Sequence, residues 1–208
     1  MRNLIETPSV TEVERYLDIW RSAPEYEKYR QQEKSVVMLF KELYPKNFEI
    51  NEVLIKVGVL NDFYGTNIRD TFSVAQNIVN QKIDSKLDSA DISIIDDIAK
   101  VTIKGKERRY YSFASKYCSH HRPYDYPIYD SFVDKVMKYF RDEDHFSEFE
   151  NEGLRNYEIF KKVILDFRKH YELEKFSLRE LDWYLWIMGK ENFAPPPPKG
   201  KLLRMNNQ

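Results

Sequence analysis

Cysteine is nearly absent: Cys118 is the single one in 208 residues. No disulfide can close within the chain, and one thiol cannot build a Cys-rich zinc site or an iron–sulfur cluster. A basic excess is missing too. The 33 Lys and Arg residues meet 34 Asp and Glu, leaving a formal net charge of −1. Any contact with nucleic acid must therefore come from a local patch rather than the overall balance. No apolar run approaches the ~18 residues of a membrane span, and Met1 to Arg15 carries no apolar signal segment. The expectation is a cytoplasmic protein with no membrane partner. The histidines offer no metal-binding pair. His120 and His121 are adjacent, so on a helix they point about 100° apart, while His145 and His170 are isolated. No metal and no cofactor is expected. No internal repeat is visible.

What is present fits a helical globular protein. A hydrophobic fraction of 42% with 32% charged residues supports one packed domain, or two small helical lobes sharing a cleft. A helix is expected from Ser9 or Thr11, where Thr11-Glu-Val-Glu14 has capping-box form; Val13, Tyr16, Leu17 and Trp20 share its apolar face. A second helix is expected from Tyr26 to Leu43, before Pro45. Asn51 to Tyr64 is rich in β-branched residues, yet its helical flanks and lack of a partner strand favour a helix. Gly65 ends it, and Thr66-Asn67 are expected to cap a helix over 68–82. Further helices are expected over 93–101, 110–121, 130–140, 156–171 and 177–188, with a capping box at Ser177-Leu-Arg-Glu180. The acidic stretch 141–152 reads as a solvated connection. No β-hairpin is expected. The fold class is all-α, with a single helical domain over 1–193 and a Pro-rich, basic tail over 194–208.

Charge is uneven along the chain. From Lys100 to Arg122 there are seven basic residues and one acidic residue, a local +6. Lys104-Gly-Lys-Glu-Arg-Arg109 reads as a basic turn between two helices. Lys104, Gly105, Lys106, Arg108 and Arg109 could present backbone amides and cations to phosphate. The same run also reads as a solvated surface turn.

Four segments carry a family resemblance. They are Leu60-Asn-Asp-Phe-Tyr-Gly-Thr-Asn67, Ser112-Phe-Ala-Ser-Lys-Tyr-Cys118, Pro127-Ile-Tyr-Asp-Ser-Phe-Val133 and Leu181-Asp-Trp-Tyr-Leu-Trp-Ile-Met-Gly-Lys190. Together they resemble the helix-hairpin-helix DNA glycosylases, in particular the 8-oxoguanine-glycosylase-like bacterial proteins. The resemblance implies a helical fold in two lobes around a cleft, DNA as partner, and removal of a damaged or modified base such as 8-oxoguanine in base excision repair, with AP-lyase activity where a lysine is the nucleophile.

It also assigns roles. Asp130 takes the place of the aspartate that opens a helix and faces the scissile sugar. Such a carboxylate stabilises the positive charge that builds on the sugar; Asp130 also reads as a plain N-cap. Lys116 is the candidate nucleophile, attacking C1′ as a neutral amine and forming a Schiff base. It reads equally as one half of an ion pair with Asp130 or a nearby acid. The pattern departs from the family in two places: the usual Gly-x-Gly of the hairpin is reduced to Gly105, and Arg108 or Arg109 stands where the lysine usually sits. With Lys116 two turns beyond Arg109 on the same helical face, the Arg109 charge is expected to help lower its pKa. Asn61, Tyr64, Thr66 and Asn67 resemble residues that line the lesion cleft. Trp183, Leu185, Trp186 and Met188 read as packing, and Cys118 as core. Two other functions fit the same scaffold: a non-catalytic nucleic-acid-binding protein, and a nucleobase- or nucleotide-handling protein in bacterial antiviral defence.

Overall fold

The computed structural model describes residues 5–195. Helices dominate them, as the apolar periodicity requires. The helices are α1 (Val10–Ser22), α2 (Glu27–Met38, continued by a π-turn Leu39–Leu43), α3 (Ile50–Tyr64), α4 (Thr71–Gln81), α5 (Asp84–Asp88), α6 (Ile94–Ala99), α7 (Tyr111–His121), α8 (Ser131–Asp144), α9 (Tyr157–His170) and α10 (Leu178–Phe193). Two strands, β1 (Lys100–Ile103) and β2 (Lys106–Arg109), stand between α6 and α7. No helix among the described residues is long and apolar enough to cross a membrane. The tail expected over 194–208 falls outside the described residues from 196 onward.

Much of the helical pattern follows from caps and stripes. The Ser9 hydroxyl accepts from the Glu12 amide at 3.2 Å and starts α1, so Ser9 rather than Thr11 is the cap. Val13, Tyr16, Leu17 and Trp20 are buried on one face of α1. The segment with mixed signals, α3, is helical, and Gly65 closes it with a left-handed φ of 57°. Ser177 and Glu180 form the expected capping box at the start of α10.

Several expectations are corrected. The basic turn is no helix–turn–helix unit. It is an antiparallel hairpin in which Lys100 faces Arg109 and Ile103 faces Lys106. Lys104 and Gly105 both take positive φ, 49° and 73°, which is the two-residue reversal whose twist suits paired strands. Val101 points inward while Lys100 and Thr102 are exposed, so the helix expected over 93–101 stops at Ala99. The fold is largely all-α, as expected, with one small two-stranded sheet added. Thr66-Asn67 do not cap α4; Asp70 does, accepting from the Ser73 amide at 3.0 Å. The helix α8 runs one turn past Phe140, and the stretch expected to be solvated buries Phe146. Its Ser147 is buried too and donates to Asp166 at 2.6 Å.

Three packing relationships position the site. The helix α10 packs against both α1 and α8, and α7 packs against α6 and α3. Every residue of α7 except Ser112 is buried, so a helix of mixed composition sits at the centre of the molecule. At Gly189 of α10, a Cβ would lie 2.7 Å from the Phe132 Cβ and 3.1 Å from the Phe132 backbone. Only a residue without a side chain lets the first turn of α8 approach α10 so closely.

Candidate functional site

The segment leading into α8 is held from two sides. The Tyr157 hydroxyl of α9 donates to the Pro127 carbonyl at 2.8 Å. The Tyr129 amide donates to the Ser115 hydroxyl of α7 at 3.0 Å. Asp130 follows as the N-cap of α8. Its Oδ1 accepts from the Phe132 amide at 2.7 Å, which fixes the carboxylate and leaves Oδ2 facing α7.

Lys116 arrives from α7, only 4% exposed. Its ammonium donates to the Ser112 hydroxyl at 2.7 Å and to the Tyr129 carbonyl at 3.3 Å. It stands 3.8 Å from Asp130 Oδ2 and 5.7 Å from the centre of the Tyr64 ring. Burial lowers the pKa of Lys116, the carboxylates of Asp130 and Asp182 oppose that, and Arg179 adds to the lowering. The cation expected in this role, Arg109, is elsewhere. It pairs with Asp96 at 2.9 Å, donates to the Arg155 carbonyl at 2.9 Å and stacks on Tyr111.

Lys116 and Asp130 both line one cavity of about 190 Å³. Trp20, Tyr29, Phe63, Tyr64, Trp183 and Trp186 supply most of its wall, and Gln32, Glu33 and Asp182 add polar groups. Trp20 and Trp183 stack at 5.2 Å with planes 16° apart, and Trp186 meets Trp20 edge-on. Packing and cavity lining are thus one role for these indoles. The Trp183 indole N–H is buried and has no partner among the described residues.

Behind the cavity lies a closed polar ring. Arg179 of α10 faces Glu33 at 3.3 Å and Asp182 at 3.5 Å. Its Nη2 is 3.1 Å from His120 Nδ1. A guanidinium only donates, so Nδ1 accepts and the ring proton is assigned to Nε2. That nitrogen is 2.8 Å from the Tyr64 oxygen, whose own proton goes to Glu33 at 3.1 Å. Burial and the Arg179 charge hold His120 well below its usual pKa, consistent with this neutral form. Burial pushes Asp182 up to about 7, against the pull of Arg179 and Lys116.

The expected site residues divide. Lys116, Asp130 and Tyr64 come together. Asn61, Thr66 and Asn67 do not line the cavity. Asn61 Oδ1 accepts from the Thr66 hydroxyl and the Ile68 amide, both at 2.9 Å, and Asn67 adopts a left-handed φ of 58°. Those three build the α3–α4 turn. Lys104, Gly105, Lys106, Arg108 and Arg109 are exposed on the hairpin and none lines the cavity. Lys104, Lys106 and Arg108 make no ion pair among the described residues, which leaves their charge to solvent or to a ligand. Glu33, Arg179 and Asp182 were not singled out from sequence. Arg179 lies inside the Ser177–Glu180 capping box and Asp182 inside the tryptophan segment, where the pattern signals helix start and packing. No group of three His, Cys, Asp or Glu suited to a metal occurs among the described residues.

A family model described as HI_0787_N, N-terminal domain, matches residues 12–125. The chain belongs to that family. An uncharacterized protein of Haemophilus influenzae is 46% identical over 153 residues, covering 73% of this chain and 71% of its own length. No solved structure matches the chain. The HI_0787_N match takes in all but the first two residues of α1 and runs through α7, hence Glu33, Tyr64, the hairpin, Lys116 and His120. Asp130, Arg179 and Asp182 lie beyond it.

Proposed function

We propose that this protein is a DNA glycosylase, with Lys116 as nucleophile and Asp130 as the carboxylate that faces the sugar; the reading rests on this pair and its cavity, since a β-hairpin stands where the resemblance places the helix-hairpin-helix turn. One observation carries the reading: a lysine amine withdrawn from water sits 3.8 Å from a fixed carboxylate at the edge of a cavity walled by aromatic rings. Flat rings that exclude water suit a base taken out of the stack. The exposed Lys104, Lys106 and Arg108 supply phosphate contacts on the outside.

The chemistry follows from these groups. The neutral Lys116 amine forms a bond to C1′ as the glycosidic C–N bond breaks. The bonding pair leaves with the base, which takes up a proton; Asp130 stabilises the charge on the sugar and can relay a proton from the amine. Ring opening gives a Schiff base between Lys116 and C1′. Loss of a proton from C2′ then expels the 3′ phosphate, which is the lyase step. Desolvation favours the neutral amine that this needs, while Asp130 opposes it. The reading is tested by incubating the protein with duplexes carrying 8-oxoguanine, uracil or an abasic site and measuring base release and strand cleavage.

A second reading draws on the same contacts. The Lys116 ammonium is satisfied by Ser112, Tyr129 and Asp130, as it is in a purely structural ion pair. The protein would then bind nucleic acid without cleaving it. DNA binding without base release on that panel favours this alternative.

A further inference from the structure

We propose that Arg179 is a positioning residue for the Lys116 amine: by holding Asp182, it keeps that carboxylate from pairing with Lys116 and leaves the amine with Asp130 alone. Among the described residues, Asp130 is the one carboxylate within 4 Å of the Lys116 nitrogen. Asp182 lines the same cavity but sits 3.5 Å from the Arg179 guanidinium. What this means for catalysis rests on Lys116 being the nucleophile; the placement itself does not.

The arrangement is built rather than incidental. A cation largely withdrawn from water, as the Arg179 side chain is at 11% exposure, is costly unless its donors are met. Arg179 is met on three sides, by Glu33, Asp182 and the His120 ring. The His120–Tyr64–Glu33 chain returns to Arg179, so the guanidinium cannot turn without breaking two ion pairs and a hydrogen bond at once.

The groups facing Lys116 come from every neighbouring element. They are Asp130 at the start of α8, Asp182 and Arg179 on α10, neutral His120 on its own helix, the Tyr64 ring on α3 and the Tyr129 carbonyl. Glu33 on α2 is the remaining acidic side chain at the cavity and is engaged by Arg179 and Tyr64. Removing Arg179 acts on Lys116 twice in one direction. A nearby cation disappears, and a carboxylate with no other cationic partner is released beside the amine.

The test needs no DNA. Lysine labelled with a nitrogen isotope at Nζ reports each ammonium titration by NMR, and Lys116→Arg identifies the Lys116 signal. Arg179→Gln is expected to raise the Lys116 midpoint, lowering the neutral-amine fraction at fixed pH on the order of tenfold. Arg179→Lys, which keeps a cation for Asp182, is expected to restore most of it. If Arg179→Gln does not fold, combining it with Glu33→Gln removes a stranded carboxylate, and the same fall is expected. Adding Asp182→Asn should abolish most of the fall. A folded variant with an unmoved or lowered midpoint overturns the proposal, as does a fall of equal size after Asp182→Asn. A protein that showed this response without releasing any base would leave the proposal standing and refute the glycosylase reading alone.

Discussion

The Lys116 ammonium and the Asp130 carboxylate face each other at 3.8 Å across two elements joined at one residue between them. Tyr129 gives its amide to Ser115, one position before Lys116, and its carbonyl to the Lys116 ammonium. The pair is therefore set by main-chain contacts and does not depend on two long side chains finding each other in solvent. That separates it from surface ion pairs, which contribute little.

The first prediction concerns Asp182 and pH. Burial pushes its carboxyl up from the ordinary 3.8 to about 7, so the native state binds the extra proton between those limits. Stability attached to this group is present at low pH and is lost as pH rises toward 7. Asp182→Asn removes that loss. The stability of the variant relative to the parent should improve between pH 5 and pH 7, by on the order of 1 kcal/mol per pH unit. Urea unfolding at the two pH values measures it. A difference independent of pH would mean that Asp182 is ionised throughout.

The hairpin gives a second. Lys104, Lys106 and Arg108 are exposed and lack ion-pair partners among the described residues, whereas Arg109 is engaged by Asp96. Charge reversal at Lys104 or Lys106 should weaken binding to duplex DNA and flatten its dependence on salt, by roughly one unit of slope per lost phosphate contact. The fold should survive, since neither side chain packs against the core. Unchanged binding across a salt titration would place the phosphate surface elsewhere.

A third follows from Gly189. A methyl group there meets the Phe132 Cβ at 2.7 Å and the Phe132 backbone at 3.1 Å, and Phe132 carries the amide that Asp130 caps. Gly189→Ala should cost about 1–3 kcal/mol in chemical denaturation. It should also slow base release in the molecules that remain folded, because a shift of Phe132 disturbs the amide that fixes the Asp130 carboxylate beside Lys116. Full activity at reduced stability would show that the strain relaxes into α10 instead.

Local patterns made part of this legible in the sequence. Asp130 ahead of an apolar helical run announced both its cap and its position, and the choice of helix for α3 came from its flanks. The hairpin leaves little trace in the sequence because each strand is only four residues long. Val101-Thr102-Ile103 follows a helix without a break, and a Lys-Gly pair is a weaker turn signal than Asn-Gly. Asn61, Thr66 and Asn67 sat in the right segment, yet positive φ at Gly65 and Asn67 committed their side chains to the turn. The ring behind the cavity has no sequence signature. Glu33, Tyr64, His120 and Arg179 come from α2, α3, α7 and α10, and no spacing within one helix foretells that four polar groups will meet when those helices pack.

The most direct measurement is borohydride trapping on a duplex with an abasic site, comparing the parent protein with Lys116→Gln. A Schiff base reduced in place leaves a covalent protein–DNA adduct. The parent protein should give that adduct, and Lys116→Gln should abolish it while keeping fold and DNA affinity. An adduct of equal yield from Lys116→Gln would move the nucleophile to another lysine. No adduct from the parent, together with no base release on 8-oxoguanine or uracil, would contradict a catalytic role for Lys116 and Asp130.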